Sequence, residues 1–485
     1  MNSRLLALLA GAAAVLGYAP VSLSPLAPVS LALLFQLWQR AATPRQAAIL
    51  GGCWGLGLFL GGVSWVYVSM HDVGGMPAPL AAAATLLFCT YLSLFPALAG
   101  WLARRLASGH TGIDALLLAA GWTLSEWLRG TLFTGFPWLA LGYSQAPPSP
   151  LAGFAPVLGV YGLSFVTALI AALLVLLRWR GALAVAVLLA SGLALQRVAW
   201  TEAIGAPLSV SLLQGNIAQS LKWEPQRLGA SLATYARLAR EHPAQLTVLP
   251  ETALPLFLDQ VPGAYLSELT AHGEVLAGVV RRGQGDQYFN TAVALRQGLP
   301  QGSYAKSHLV PFGEFVPAGF SWFLTLMRIP MSDFSAGPAQ QVPLAVAGQR
   351  NAPNICYEDL LGEEIIRVLP EATLLINISN TAWFGASLAQ PQHLQIAQLR
   401  ALESGRSMLR ATNTGMTALV GADGVVQAAL PPFVAAALSV QVQGYGGLTP
   451  YARWGNGPIL AIALASLLPA LWWRRRQPRE RAESR

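Results

Sequence analysis

Charge is scarce in this chain: 11% of its 485 residues are charged, against roughly 25% in an ordinary soluble domain. With a mean hydropathy of +0.49, that shortage excludes a protein wholly in water and places much of the chain in lipid. Cysteine is nearly absent too. Cys53 and Cys89 lie inside apolar runs and Cys356 lies far away in a polar region, which excludes a disulfide framework. The six histidines are scattered, with no pair at ligand spacing from a cysteine or carboxylate, so nothing implies a metal centre. Acids are outnumbered, 22 against 30 basic residues. Outside the central region the basic residues form short clusters at the ends of apolar runs, the pattern that orients membrane helices and not that of a nucleic-acid surface. The sequence has no internal repeat and no long low-complexity linker.

What is present begins with apolar runs near 5–18, 24–38, 48–70, 77–103, 112–128, 152–177, 181–200 and 456–473. They predict an α-helical membrane bundle of about eight helices, some shorter than the roughly 20 residues of a straight span. The first run also has the form of a signal-peptide core, with Arg4 before it. Arg4, Arg40, Arg45, Arg104, Arg105, Arg178, Arg180 and Arg474 to Arg476 all fall on one side of the resulting topology. By the positive-inside rule that side is cytoplasmic. The expected division is residues 1–200 for seven helices, 201–455 for a domain on the opposite side, 456–473 for the last helix and 474–485 for a basic cytoplasmic tail.

The central segment reads as α/β. Strand-type runs occur at 208–216, 245–252, 275–282, 288–298, 353–359, 373–380 and 417–426, several closing on Gly or Asn turn signals. Helical patterns lie between some of them, at 224–241 and 392–409. In the second, Leu394, Ala397, Ala401 and Met408 mark an apolar face, with Arg400, Glu403 and Arg406 elsewhere on the wheel. A mixed sheet covered by helices is the natural architecture.

Three strand-to-loop junctions end in groups capable of chemistry: Glu251 in LPETALP, Lys306 in YAKSHLVPFGEFVP and Cys356 in NICYED. A cysteine attacks only as thiolate. Glu251 could take its proton, and Lys306 could steady the thiolate and a later oxyanion. Each residue alone also has a plain reading, Cys356 as a small buried side chain and the other two as solvated charges. His308 and His393 have no evident orienting acid in the sequence, which predicts structural roles for both. Glu126, near Arg129 at a helix end, reads either as a functional intramembrane acid or as one half of a local ion pair.

The order Glu, Lys, Cys on successive strand ends, with PET, YAKSHLVPFGE and ICYE around them, resembles the nitrilase superfamily over roughly 208–440. That resemblance implies an αββα sandwich with a Glu-Lys-Cys triad. The apolar runs, WLRGTLFTGFPWLALGYSQ (127–145), QGNIAQSLKW (214–223) and HLVPFGEFVP (308–317) extend it to the apolipoprotein N-acyltransferase family over nearly the whole chain. The family resemblance implies Glu251 as general base, Lys306 as oxyanion-stabilising group and Cys356 as acyl-accepting nucleophile. It adds Glu314 as a second acid near the lysine, Tyr357 and Glu358 as support beside the nucleophile, and Trp223 in substrate handling. It also implies a phospholipid acyl donor, a diacylated apolipoprotein acceptor, a bilayer, no nucleic acid, no cofactor, and a bacterial inner membrane with the catalytic domain on the periplasmic side. The apolar stretch 320–334, with Trp322 and Phe323, serves either as core or as a substrate-binding arm against the outer leaflet. Phe133, Phe136, Pro137 and Trp138 are candidates for its facing edge. Two competing functions share parts of the pattern, a membrane-tethered amidase and a transporter with a ligand-binding outer domain. Few paired charges and no matching interrupted helices speak against the transporter.

Overall fold

The computed structural model describes residues 2–219, 225–316 and 333–480. The chain divides into two compact units, Met1–Val66 with Ala82–Val198 and Arg453–Arg485, and Tyr67–Ala81 with Ala199–Ala452.

The first unit is helical. Its apolar runs form helices Ser3–Ala14, Leu26–Arg40, Pro44–Gly62, Ala78–Leu106, Thr111–Arg129, Ala155–Leu176, Ala182–Leu195 and Gly457–Glu480. At a rise of about 1.5 Å per residue, length decides which can cross a membrane straight. Among the described residues three are long and apolar enough: Ala78–Leu106, Pro150–Leu176 and Gly457–Arg474. The run at 48–70 is broken, because Pro44–Gly62 meets Val66–Val73 at a bend of 58°. Leu87, Leu94 and Leu183 expose 72%, 59% and 76% of their surface, the outward apolar face of a membrane protein. Inside, packing relies on small and aromatic residues. A Cβ on Gly11 would collide with the Trp54 carbonyl, so glycine permits the close crossing of Ser3–Ala14 on Pro44–Gly62. Ser30 Oγ donates to Ala10 O at 2.6 Å and accepts from Trp54 Nε1 at 2.9 Å.

The stretch after Thr111–Arg129 is held by two buried charges that do not act as a simple pair. Arg129 Nη1 donates to the carbonyls of Phe136 and Trp138 at 2.5 and 2.7 Å. Glu126 Oε1 accepts from Leu141 N at 2.8 Å. Trp138 is therefore packed inside this unit, at 1% exposure, whereas Phe133 is 82% exposed. An outer edge made of both is not what the loop forms.

The second unit is a four-layer αββα sandwich. In chain order its strands are β1 (Glu202–Gln214), β2 (Leu246–Val248), β3 (Leu254–Phe257), β4 (Glu274–Arg282), β5 (Tyr288–Arg296), β6 (Leu299–Ala305), β7 (Leu344–Val346), β8 (Gln349–Ile355), β9 (Leu374–Ser379), β10 (Met408–Thr412), β11 (Ala418–Val420), β12 (Val426–Ala429) and β13 (Ala436–Gly446). One sheet runs β13-β1-β2-β4-β5-β6 with β3 beside β4, and the other β12-β11-β10-β9-β8-β7. Pairing is parallel in the middle of each sheet, β1 with β2 and β2 with β4, and β8 with β9 and β9 with β10, and antiparallel toward the edges.

Period-two alternation builds the layers. Val210, Leu212, Leu276, Leu374, Ile376 and Ile378 point into the seam between the sheets. Val275, Ala277 and Val279 point the other way, onto Tyr235 and Leu238 of helix Pro225–Glu241. Leu375 and Met408 pack on Leu394, Ala397 and Ala401 of helix Ala389–Ser404. That helix is shorter than the 392–409 pattern suggests, and Met408 belongs to β10. Arg400, Glu403 and Arg406 are buried, at about 1% exposure or less, because Arg400 and Glu403 pair at 2.7 Å and Arg406 donates to the carbonyls of Ala372 and Gly447 at 2.7 and 2.8 Å.

Candidate active site

Three strand ends deliver the side chains. β8 is buried along most of its length and stops at Ile355, after which Cys356 adopts a left-handed φ of 55° and opens the short 3-10 helix Cys356–Leu360. A non-glycine residue there is strained by about 1–3 kcal/mol. Glu251 follows β2 in a tight turn that lies on β4. At Gly278 of β4 a Cβ would stand 2.7 Å from Glu251 Cα, so glycine is required for the turn to approach. Lys306 follows β6, its N–H donating to Asn290 O at 2.9 Å.

The ionisable groups meet in a buried cluster. Lys306 is 1% exposed and Glu251 7%. Lys306 Nζ lies 2.7 Å from Glu314 Oε2 and 3.7 Å from Glu251 Oε1. Glu251 is held at both oxygens, by Asn290 Nδ2 at 2.7 Å and by Asn380 N at 2.7 Å. Asn290 Nδ2 also reaches Glu314 Oε1 at 3.1 Å. Burial works against the Lys306 charge, but Glu314 and then Glu251 outweigh it, so the ammonium keeps its proton above its ordinary range. The Cys356 thiol is pushed up, by burial first and by Glu251 second, with Lys306 pulling the other way. Burial and the Glu251 charge thus favour the thiol over the thiolate at Cys356.

Glu358 couples the lysine loop to the Cys356 turn. Its Oε2 accepts from Ile355 N at 2.7 Å. Its Oε1 accepts from Tyr304 OH at 2.9 Å, Ser307 N at 2.8 Å, Ser307 Oγ at 3.0 Å and His308 N at 3.1 Å. Burial raises its pKa, against the pull of Lys306 and these backbone donors. Tyr357 continues the turn, its ring stacked on His308 at 6.0 Å.

The fold therefore brings Glu251, Lys306, Glu314, Cys356, Tyr357 and Glu358 to one place. Trp223, Trp322 and Phe323, with the stretch 320–332, lie outside the described residues. The histidines differ from expectation: His393 Nε2 meets Asp359 Oδ1 at 2.7 Å and His308 Nδ1 faces Glu364 Oε1 at 3.4 Å. Their acids are 34 and 56 residues away in sequence, so only the fold pairs them. Sequence reasoning also missed Asn290, Asn380, Tyr304, Asp359 and Arg410. No local pattern marks these. One available signal went unused, for lysine occurs in the whole chain only as Lys222 and Lys306, and a lysine kept where arginine is otherwise the cation points to a need for a compact charge.

Residues 10–173 match the apolipoprotein N-acyltransferase N-terminal domain, and residues 209–451 match carbon-nitrogen hydrolase. Among solved structures, an amidase from Nesterenkonia sp. aligns over 53% of this chain and 97% of its own, at 18% identity and a TM-score of 0.36. The apolipoprotein N-acyltransferase of Nitrosomonas europaea is 49% identical over 486 residues, covering 96% of this chain and 97% of its own length. That of Ralstonia nicotianae is 48% identical over 491 residues, covering 97% and 93%. Two domain matches in series and full-length identity near one half have one consequence: the chain belongs to the apolipoprotein N-acyltransferase family.

Proposed function

We propose that this protein moves an acyl chain from a membrane phospholipid, through a thioester on Cys356, to the N-terminal amine of a diacylglyceryl-cysteine apolipoprotein. The observation that carries the reading is the meeting of Glu251, Lys306 and Cys356 in one buried cluster, in a chain that also bears apolar helices. In the first step Glu251 takes the thiol proton as Sγ attacks the ester carbonyl. Lys306 and the Tyr357 N–H hold the oxyanion, the bond to the glycerol oxygen breaks, and Glu251 returns the proton to that oxygen as the lysophospholipid leaves. In the second step the acceptor amine attacks the thioester and Glu251 takes the amine proton. The C–S bond breaks, an amide forms, and the proton returns to Cys356. Glu314 keeps Lys306 charged and placed, and Glu358 keeps the two loops in register. No cofactor enters.

The assignment of all eight apolar helices to the bilayer belongs to the same proposal, with residues 1–200 and 456–473 in the membrane, 201–455 outside and 474–485 as a cytoplasmic tail. So does a bacterial inner membrane with the catalytic domain facing the periplasm, and so do substrate contacts by Trp223, Trp322 and Phe323. Splitting the reaction lets one pocket serve two bulky lipids in turn, which requires ping-pong kinetics. The test is to incubate purified protein with phospholipid labelled in its acyl chain and map the label. The expected result is label on Cys356 that is chased by a diacylated lipopeptide. Absence of label in the wild type, or transfer by Cys356→Ala, overturns the mechanism, and free fatty acid as sole product identifies a hydrolase instead.

A further inference from the structure

Behind the nucleophile turn lies a polar cluster that the chemistry above does not use. Asp359, Asn377, His393 and Arg410 expose 0%, 0%, 0% and 1% of their surface. They come from four elements: the Cys356–Leu360 turn, β9, helix Ala389–Ser404 and β10. Arg410 Nη1 donates to Asp359 Oδ2 at 2.8 Å and to Asn377 Oδ1 at 2.9 Å. Asp359 Oδ1 meets His393 Nε2 at 2.7 Å. Asn377 Nδ2 donates to the Cys356 carbonyl at 3.1 Å, and Asp359 itself lies in the Cys356–Leu360 turn. The chain of contacts thus begins and ends in the turn that Cys356 opens with a left-handed φ of 55°.

A buried Asp-Arg pair is a poor way to gain stability, since apolar residues of the same volume often serve as well or better. A strained φ persists only where its surroundings over-determine it. We propose that Asp359, Arg410, Asn377 and His393 are positioning residues that clamp the Cys356 peptide in its left-handed turn and so set the aim of Sγ toward the carbonyl it attacks. Freed from the clamp, the turn relaxes to an ordinary conformation and Sγ moves by an ångström or more. A displacement of about 1 Å costs about a hundredfold in rate.

The proposal rests on Cys356 being the acyl carrier, so its test has a part that needs no acyl donor. In full-length protein, Asn377→Ala and His393→Ala are compared with wild type and with His393→Gln, whose amide can still donate to Asp359. Hydrogen exchange in the peptide 355–360 is expected to quicken about tenfold in both alanine variants, with the rest of the domain unchanged. The per-site rate of Cys356 acylation by labelled phospholipid is expected to fall about a hundredfold at unchanged KM, and His393→Gln is expected to recover most of it. Exchange that quickens across both sheets while the per-site acylation rate holds assigns the cluster to stability alone and overturns the clamp, as does quickened local exchange with full acylation. If wild type takes no acyl label, the functional reading fails, and unchanged exchange in 355–360 then rejects the clamp separately.

Discussion

Replacing Glu251 by Gln removes one negative charge and leaves the pocket's shape almost intact, and its two consequences have opposite signs. Lys306 Nζ stands 2.7 Å from Glu314 Oε2 and 3.7 Å from Glu251 Oε1, so wild type sets two carboxylates against one ammonium. Burial and then Glu251 hold the Cys356 pKa up. Without the Glu251 charge that push is gone and Lys306 has only Glu314 to answer, so the thiol pKa falls. A charge within ~4–6 Å moves a pKa by about 1–3 units. At about 1 unit the thiolate fraction at a fixed pH below the midpoint rises about tenfold. Iodoacetamide reads this directly, because the thiolate is what reacts. The wild-type alkylation rate at Cys356 is expected to keep climbing through the neutral range without levelling. The Glu251→Gln curve lies at lower pH. Acylation by phospholipid goes the other way, falling about 10²–10⁴-fold for want of a base. Mass spectrometry of the Cys356 peptide after iodoacetamide across a pH series, with acyl label followed in parallel, measures both. A variant curve displaced to higher pH, or acylation that survives the substitution, refutes the role given to Glu251.

Lys306→Met leaves Glu251 and Glu314 facing each other without a cation, and breaking a buried pair in this way destabilises by about 3–5 kcal/mol; a lower melting temperature in detergent with no label on Cys356 is the expected outcome. Glu358→Gln keeps one acceptor oxygen where five donors converge on two. The loss of one charge-assisted bond is about 1.5–3 kcal/mol, readable as a lower melting temperature, and acylation falls because the lysine loop and the nucleophile turn lose their link. Gly278→Val drives a side chain into the turn at Glu251, so acyl transfer is expected to drop with the apolar helices unaffected in a protease-protection assay.

Much of this architecture was legible along the chain. Strand patterns at 275–282 and 373–380 correspond to β4 and β9 because β4 is apolar on both faces, β9 is apolar on the face of Leu374, Ile376 and Ile378, and local turn signals end them. β10 was not legible as a strand, since Met408–Thr412 carries a buried arginine and follows directly on a helix whose periodicity runs into it. The inward burial of Arg400, Glu403 and Arg406 was invisible for a related reason: amphipathic patterning assumes that charges face water, whereas Arg400 and Glu403 answer each other within one helix and Arg406 is answered by carbonyls from other parts of the chain. The broken run at 48–70 shows the limit for the apolar segments, because hydropathy records how apolar a stretch is and not whether its backbone bends by 58°.

By itself the sequence determined the class of the protein, a membrane chain carrying an α/β domain with glutamate, lysine and cysteine at three strand ends, because composition, periodicity and turn chemistry are local properties. Only the tertiary structure decided what those residues meet. It set Glu314 rather than Glu251 closest to Lys306, gave Glu358 its five donors, and paired His393 with Asp359 of the Cys356 turn. Such contacts join residues tens of positions apart, and their energies depend on distance and burial, which a linear pattern does not record.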